Sequence, residues 1–91
     1  MRTYLYSVNK STFLTEGKKY ELKGDVVYSL DPTKPIALFT VVGNLIYPTA
    51  INTMAIPGQP YYYIKENMVY PSTGHPNTIS ITPELKIVQE E

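Results

Sequence analysis

Eight prolines and five glycines cut this 91-residue chain into short segments, and that punctuation limits its fold more than any other feature. Proline lacks an amide hydrogen and locks φ, so it breaks helices and is kept out of central strands. The stretches between the breaks are rich in Tyr, Val, Ile and Thr, residues that suit a pleated, half-buried surface and lose rotamer freedom in a helix. Helical periodicity is correspondingly scarce. The chain is therefore expected to be all-β, or β-rich with one short helix, and to form a small antiparallel β-barrel or sandwich. Its length suits one hydrophobic core, so residues 1–91 are read as a single domain.

Alternation places the strands. Tyr4, Tyr6 and Val8 share one face of a first segment, with Leu5 and Ser7 on the other. In residues 18–23, Tyr20 and Leu22 point inward while Lys19, Glu21 and Lys23 face water. Gly24-Asp25 permits a bend before a strand at residues 26–30, and Asp31-Pro32-Thr33-Lys34-Pro35 has turn chemistry. Apolar runs at 36–42 and 45–47 flank Gly43-Asn44, where glycine supplies the positive φ of a two-residue hairpin. Both arms of that hairpin are apolar at nearly every position. They are thus covered on both faces, or have one face in the core and one against a partner. Residues 49–56 read as a turn or irregular crossover. Strands follow at 61–65 and 68–70 around a turn at Glu66-Asn67, and residues 71–78 form a polar loop. At the end, Ile79, Ile81, Leu85 and Ile87 share parity, which favours a strand, although Thr82-Pro83-Glu84 also reads as a helix start. The segment between Pro48 and Pro60, with Ile51, Met54 and Ile56, is too apolar for a routine surface loop, so it caps the core or contacts a partner.

The stretch Phe13-Leu14-Thr15-Glu16-Gly17-Lys18-Lys19-Tyr20-Glu21-Leu22 resembles the opening of the small SH3-like barrels encoded by tailed phages. There an aromatic residue, then Gly-Lys, then Tyr and an aliphatic two places on begin the barrel. The resemblance covers about ten residues. The insertion at 31–35 and the long segment at 48–60 depart from the family's compact turns, and the motif of eukaryotic proline-peptide grooves is absent. What the resemblance implies is an SH3-like barrel in a phage or viral accessory protein that acts by binding, since that barrel carries no common chemistry.

The side-chain inventory narrows the function classes. There is no cysteine and one histidine, so thiol catalysis, disulfides and thiolate zinc sites are excluded, and no acid spacing suits a calcium loop. His75, in Ser72-Thr73-Gly74-His75-Pro76-Asn77, is expected to be a solvent-facing loop residue, with Glu84 the nearest acid in sequence. No catalytic, metal or cofactor-binding residue is expected, and the chain is read as a non-enzyme. No glycine-rich phosphate cradle occurs. Eight basic residues balance eight acidic ones, which argues against a phosphate backbone or a membrane surface as partner. Lys18, Lys19 and Lys23 are interrupted by Glu16, Glu21 and Asp25. The longest apolar run, residues 36–42, is far short of the roughly 20 residues of a membrane span. No export signal is recognised, Asn9-Lys10-Ser11 is discounted as a glycosylation site, and the cytoplasm, the host's if the protein is viral, is the expected location.

Nine tyrosines remain. In a strand Tyr62 must face opposite to Tyr61 and Tyr63, so at least one of the three rings is expected at the surface. Tyrosine is enriched at the centres of interfaces. The expected function is a non-catalytic protein-binding module, its partner a host protein, contacted through Tyr61, Tyr62, Tyr63, Tyr70 and Met54. Phe39 and Ile46 of the hairpin are expected to form a self-association edge. A homo-oligomeric structural or virion component is the alternative, and single-stranded nucleic-acid binding a third.

Overall fold

The alternating segments become strands that close on themselves. A computed structural model describes residues 2–9, 11–12, 14–31, 33–53, 55–76 and 82–90. Within them lie β1 (Arg2–Val8), β2 (Thr15–Lys23), β3 (Val26–Ser29), β4 (Ala37–Val42), β5 (Leu45–Pro48), β6 (Tyr62–Lys65), β7 (Met68–Pro71) and β8 (Leu85–Glu90), and no helix occurs among the described residues. Each strand pairs antiparallel with the next, and β8 pairs back onto β1 from Arg2↔Glu90 to Ser7↔Leu85. Of the two expected architectures the chain thus takes the barrel, all-β throughout. Closure gives the first and last strands a partner on both sides and removes the free sheet edge.

Turn chemistry fixes the register. Gly43 has φ +64 and sits with Asn44 between the paired residues Val42 and Leu45. Gly24, φ +58, does the same with Asp25 between Lys23 and Val26. Positive φ at the first central position alone is the signature of a II′ hairpin. Glu66 and Asn67, at φ 54 and 65, both take left-handed geometry between Lys65 and Met68, as a I′ turn requires. The C-terminal segment is a strand. Leu85 is buried and Ile87 packs on the core, so the period-two pattern prevails over the helix-start signal at Thr82-Pro83-Glu84.

The central cluster of the core takes one buried side chain from each strand except β2: Leu5, Val27, Phe39, Ile46, Tyr62, Val69 and Leu85. Strand β2 supplies the half-buried Tyr20 and Leu22, on the face expected of them. Phe39 is central to the aromatic packing, with ring centroids 5.8 Å from Tyr20, 5.3 Å from Tyr61 and 5.7 Å from Tyr62. Phe39 and Ile46 are 4% and 2% exposed, which corrects their assignment to a self-association edge. Their parity in β4 and β5 faces the barrel interior, and the backbone edge that such association needs is already paired.

The crossover between β5 and β6 is irregular, as expected, and is tied down at its start. The Thr49 hydroxyl donates to the carbonyl of Ala37 at 2.7 Å, and the Asn52 amide donates to that of Leu38 at 3.0 Å. Ile51 and Ile56 remain exposed, so these two side chains do not cap the core. Met54, Ile79 and Ile81 lie outside the described residues.

Candidate binding face

Strand parity sorts the tyrosines between the two sides of the barrel wall. Tyr62 points inward and is 4% exposed. That corrects its expected role as a contact residue: three successive rings must alternate, and the interior takes the middle one. Tyr61 precedes β6 and is drawn against the core, its ring 4.8 Å from that of Tyr62 and edge-on to it. Tyr63 and Tyr70 face outward. They are partners in the β6–β7 ladder, and their rings stack at 5.2 Å with an interplanar angle of 13°.

The ladder extends this pair into a row. Tyr63 is opposite Leu45 on β5, and Leu45 is opposite Val42 on β4. Val42, Leu45, Tyr63 and Tyr70 therefore line up across four neighbouring strands on the outer face, with Val42 62% exposed. The hairpin at Gly43-Asn44 thus has one face in the core, through Val41 and Ile46, while the outer face at its tip is uncovered. Two residues further along the same strands runs a second row: Lys65 is opposite Met68, and Met68 is opposite Lys86. Both lysines are exposed, and among the described residues neither has an ion-pair partner.

A second constellation joins His75 to Glu84. His75 is buried, its Nε2 2.6 Å from Glu84 Oε2, and its ring centroid lies 4.5 Å from that of Tyr61 and 5.2 Å from that of Tyr62. This corrects the expectation of a solvent-facing loop histidine. The loop reaches the core because Gly74 presses on the preceding crossover. The Gly74 amide donates to the Pro60 carbonyl at 2.9 Å, and a Cβ at this position would lie 3.0 Å from the same oxygen and 3.2 Å from Gln59 Cβ. Glu84 is held from both sides, its amide donating to Val69 and its carbonyl accepting from Val8. Its Oε2 is enclosed and faces the His75 imidazole. Burial, followed by the Glu84 charge, pushes the Tyr62 phenol far above its ordinary range. Tyr61 is raised by the same two causes in the same order. Tyr20 is raised by burial first, then by Tyr61 and Glu84.

Among the described residues, two clefts in the surface are lined by neither His75 nor Glu84. One, of about 350 Å³, lies over β1, β2 and β3, with Arg2, Tyr4, Glu21, Lys23 and Tyr28 in its wall. Several of its polar groups answer one another: Arg2 donates to the Tyr4 hydroxyl at 3.3 Å and lies 3.9 Å from Glu21, while Asp31 accepts from Thr33 and from the Lys34 amide. The other, of about 230 Å³, is bounded by Tyr20, Leu38, Phe39, Asn52 and Tyr61. The His75–Glu84 pair therefore opens into neither cleft and acts as an internal strut joining the β7–β8 loop to the start of β8. Among the described residues no cluster of acids and histidine is arranged to hold a metal, and no helix is long and apolar enough to cross a membrane.

Comparison of the chain with protein-family models, with curated proteins and with solved structures gives no match.

Proposed function

We propose that this barrel is a non-catalytic protein-binding module that docks a partner protein on the outer face of β4 to β7, through Tyr63, Tyr70, Leu45 and Val42. The observation that carries the proposal is the stacked Tyr63–Tyr70 pair, in register with Leu45 and the exposed Val42. Two rings that brace each other lose little further freedom on binding, and rigid amphipathic rings supply large contact area at low entropic cost. The reading of the protein as a phage or viral accessory acting on a host factor rests on the resemblance of residues 13–22 alone. Self-assembly into a structural component is the weaker reading, because a closed barrel leaves no strand edge for it and only side-chain surfaces remain.

The test is capture from host lysate with wild-type protein and with the double variant Tyr63→Ser/Tyr70→Ser, both checked by circular dichroism. A protein retained by the wild type and lost by the folded double variant supports the proposal. Equal capture by both, or capture by neither, overturns it.

A further inference from the structure

We infer that the segment docking on this face is acidic and extended, with carboxylates spaced three residues apart. The inference rests on the docking reading above and adds the chemistry of the partner. It comes from the second outward row, in which Lys65, Met68 and Lys86 stand side by side on β6, β7 and β8. This row lies two residues from the Tyr63–Tyr70 row, about 7 Å away along the strands.

Lys65 and Lys86 are exposed and have no ion-pair partner among the described residues. The row continues through Tyr6, the ladder partner of Lys86, to Lys18 on β2. There the charge is already answered: Lys18 Nζ lies 2.9 Å from Glu90 Oε1 and 4.1 Å from the centre of the Tyr4 ring, and the Tyr6 hydroxyl donates to the same carboxylate. The uncompensated part of the belt is thus the part beside the tyrosine pair. Of the acids nearest in sequence, Glu66 sits in the turn that follows Lys65, and Glu84, two residues before Lys86, faces His75.

The spacing selects the ligand geometry. Lys65 and Lys86 are two strands apart, about 9–10 Å. A polyproline II segment rises about 3.1 Å per residue and returns to the same side every third residue, so its residues i and i+3 are about 9 Å apart. Acidic side chains at those positions reach both lysines while the residues between them lie over Met68 and the tyrosine row. Single-stranded nucleic acid fits less well. The chain has no net charge to concentrate a polyanion, and Tyr63 and Tyr70 stack on each other instead of standing apart as platforms for bases.

The experiment is a fluorescence-anisotropy and amide chemical-shift titration with four probes: the peptides (Glu-Pro-Tyr)4, (Gln-Pro-Tyr)4 and (Lys-Pro-Tyr)4, and a twelve-residue oligothymidylate. The acidic peptide is expected to bind best, to shift the amides of β6 to β8, and to weaken as salt rises. Lys65→Gln/Lys86→Gln is expected to weaken it about three- to tenfold, and Tyr63→Ser/Tyr70→Ser to remove the interaction. If the neutral peptide binds equally well and still needs the two tyrosines, the acidic inference is overturned and the docking face survives. If binding ignores the tyrosines as well as the lysines, both readings fall. Tighter binding of the oligothymidylate with the same variant dependence replaces the peptide with nucleic acid. Concentration-dependent shifts of these amides without any probe replace it with a second copy of the chain. Absence of any shift at millimolar peptide overturns the inference and leaves the docking face to the capture experiment.

Discussion

His75 Nε2 lies 2.6 Å from Glu84 Oε2, and the two side chains join the β7–β8 loop to the start of β8 beneath the rings of Tyr61 and Tyr62. A buried polar group that loses its partner is left desolvated, so His75→Gln or Glu84→Gln is expected to cost about 1–3 kcal/mol. The double variant is expected to lose less than the sum of the two. Urea unfolding of all four proteins measures the coupling, and single variants that unfold with the wild type would show that the pair adds no stability.

Tyr62 and Tyr63 are neighbours in sequence with opposite fates. Tyr62→Ser empties a core position and is expected to cost about 3–4 kcal/mol, whereas Tyr63→Ser is expected to cost less than about 1 kcal/mol. Urea midpoints compare them directly. A reversed order would mean that β6 is paired one residue out of register.

The phenols of Tyr62, Tyr61 and Tyr20 are pushed up chiefly by burial, and that of Tyr6 by its hydrogen bond to Glu90. The unfolded chain ionises its tyrosines near pH 10. Above that pH the unfolded state holds fewer protons than the native one, so stability is complete below about pH 10 and is lost as pH rises toward the native values. Ultraviolet titration is expected to show these tyrosines ionising above about pH 10, together with the onset of unfolding. On the acid side the signs reverse. Thr33 and the nearby amides hold Asp31 low, and Tyr6 and Lys18 hold Glu90 low. Their contributions are present above about pH 4 and fade as pH falls below it.

Glu66 carries a Cβ in left-handed geometry at φ 54. Asparagine tolerates that region far better, so Glu66→Asn is expected to stabilise the β6–β7 hairpin by about 0.5–1 kcal/mol. The shift in thermal midpoint reports it, and a lower midpoint would show that the Glu66 side chain has a structural role of its own.

Local chemistry made much of this fold readable. Gly43-Asn44 announces its hairpin, Tyr20 and Leu22 alternate with charged neighbours, and Leu85 and Ile87 keep strand parity despite a plausible helix start. What could not be read was phase. In Tyr61-Tyr62-Tyr63 no change of residue type marks which side faces out, and in residues 36–42 and 45–47 Thr40 is the one clearly polar residue, so the inward turn of Tyr62, Phe39 and Ile46 is decided by closure of the sheet. The burial of His75 depends on Gly74 meeting Gln59 and Pro60, a contact between two loops that leaves no periodic trace. The row from Val42 to Tyr70 exists only once four strands are in register.

Joining β1 to β8 has a consequence for synthesis. Arg2 finds its ladder partner in Glu90, so during translation the first strand emerges with one flank bare and stays so until the last strand has cleared the ribosome. Nascent chains halted before β8 should therefore be far more prone to clump than chains that include it.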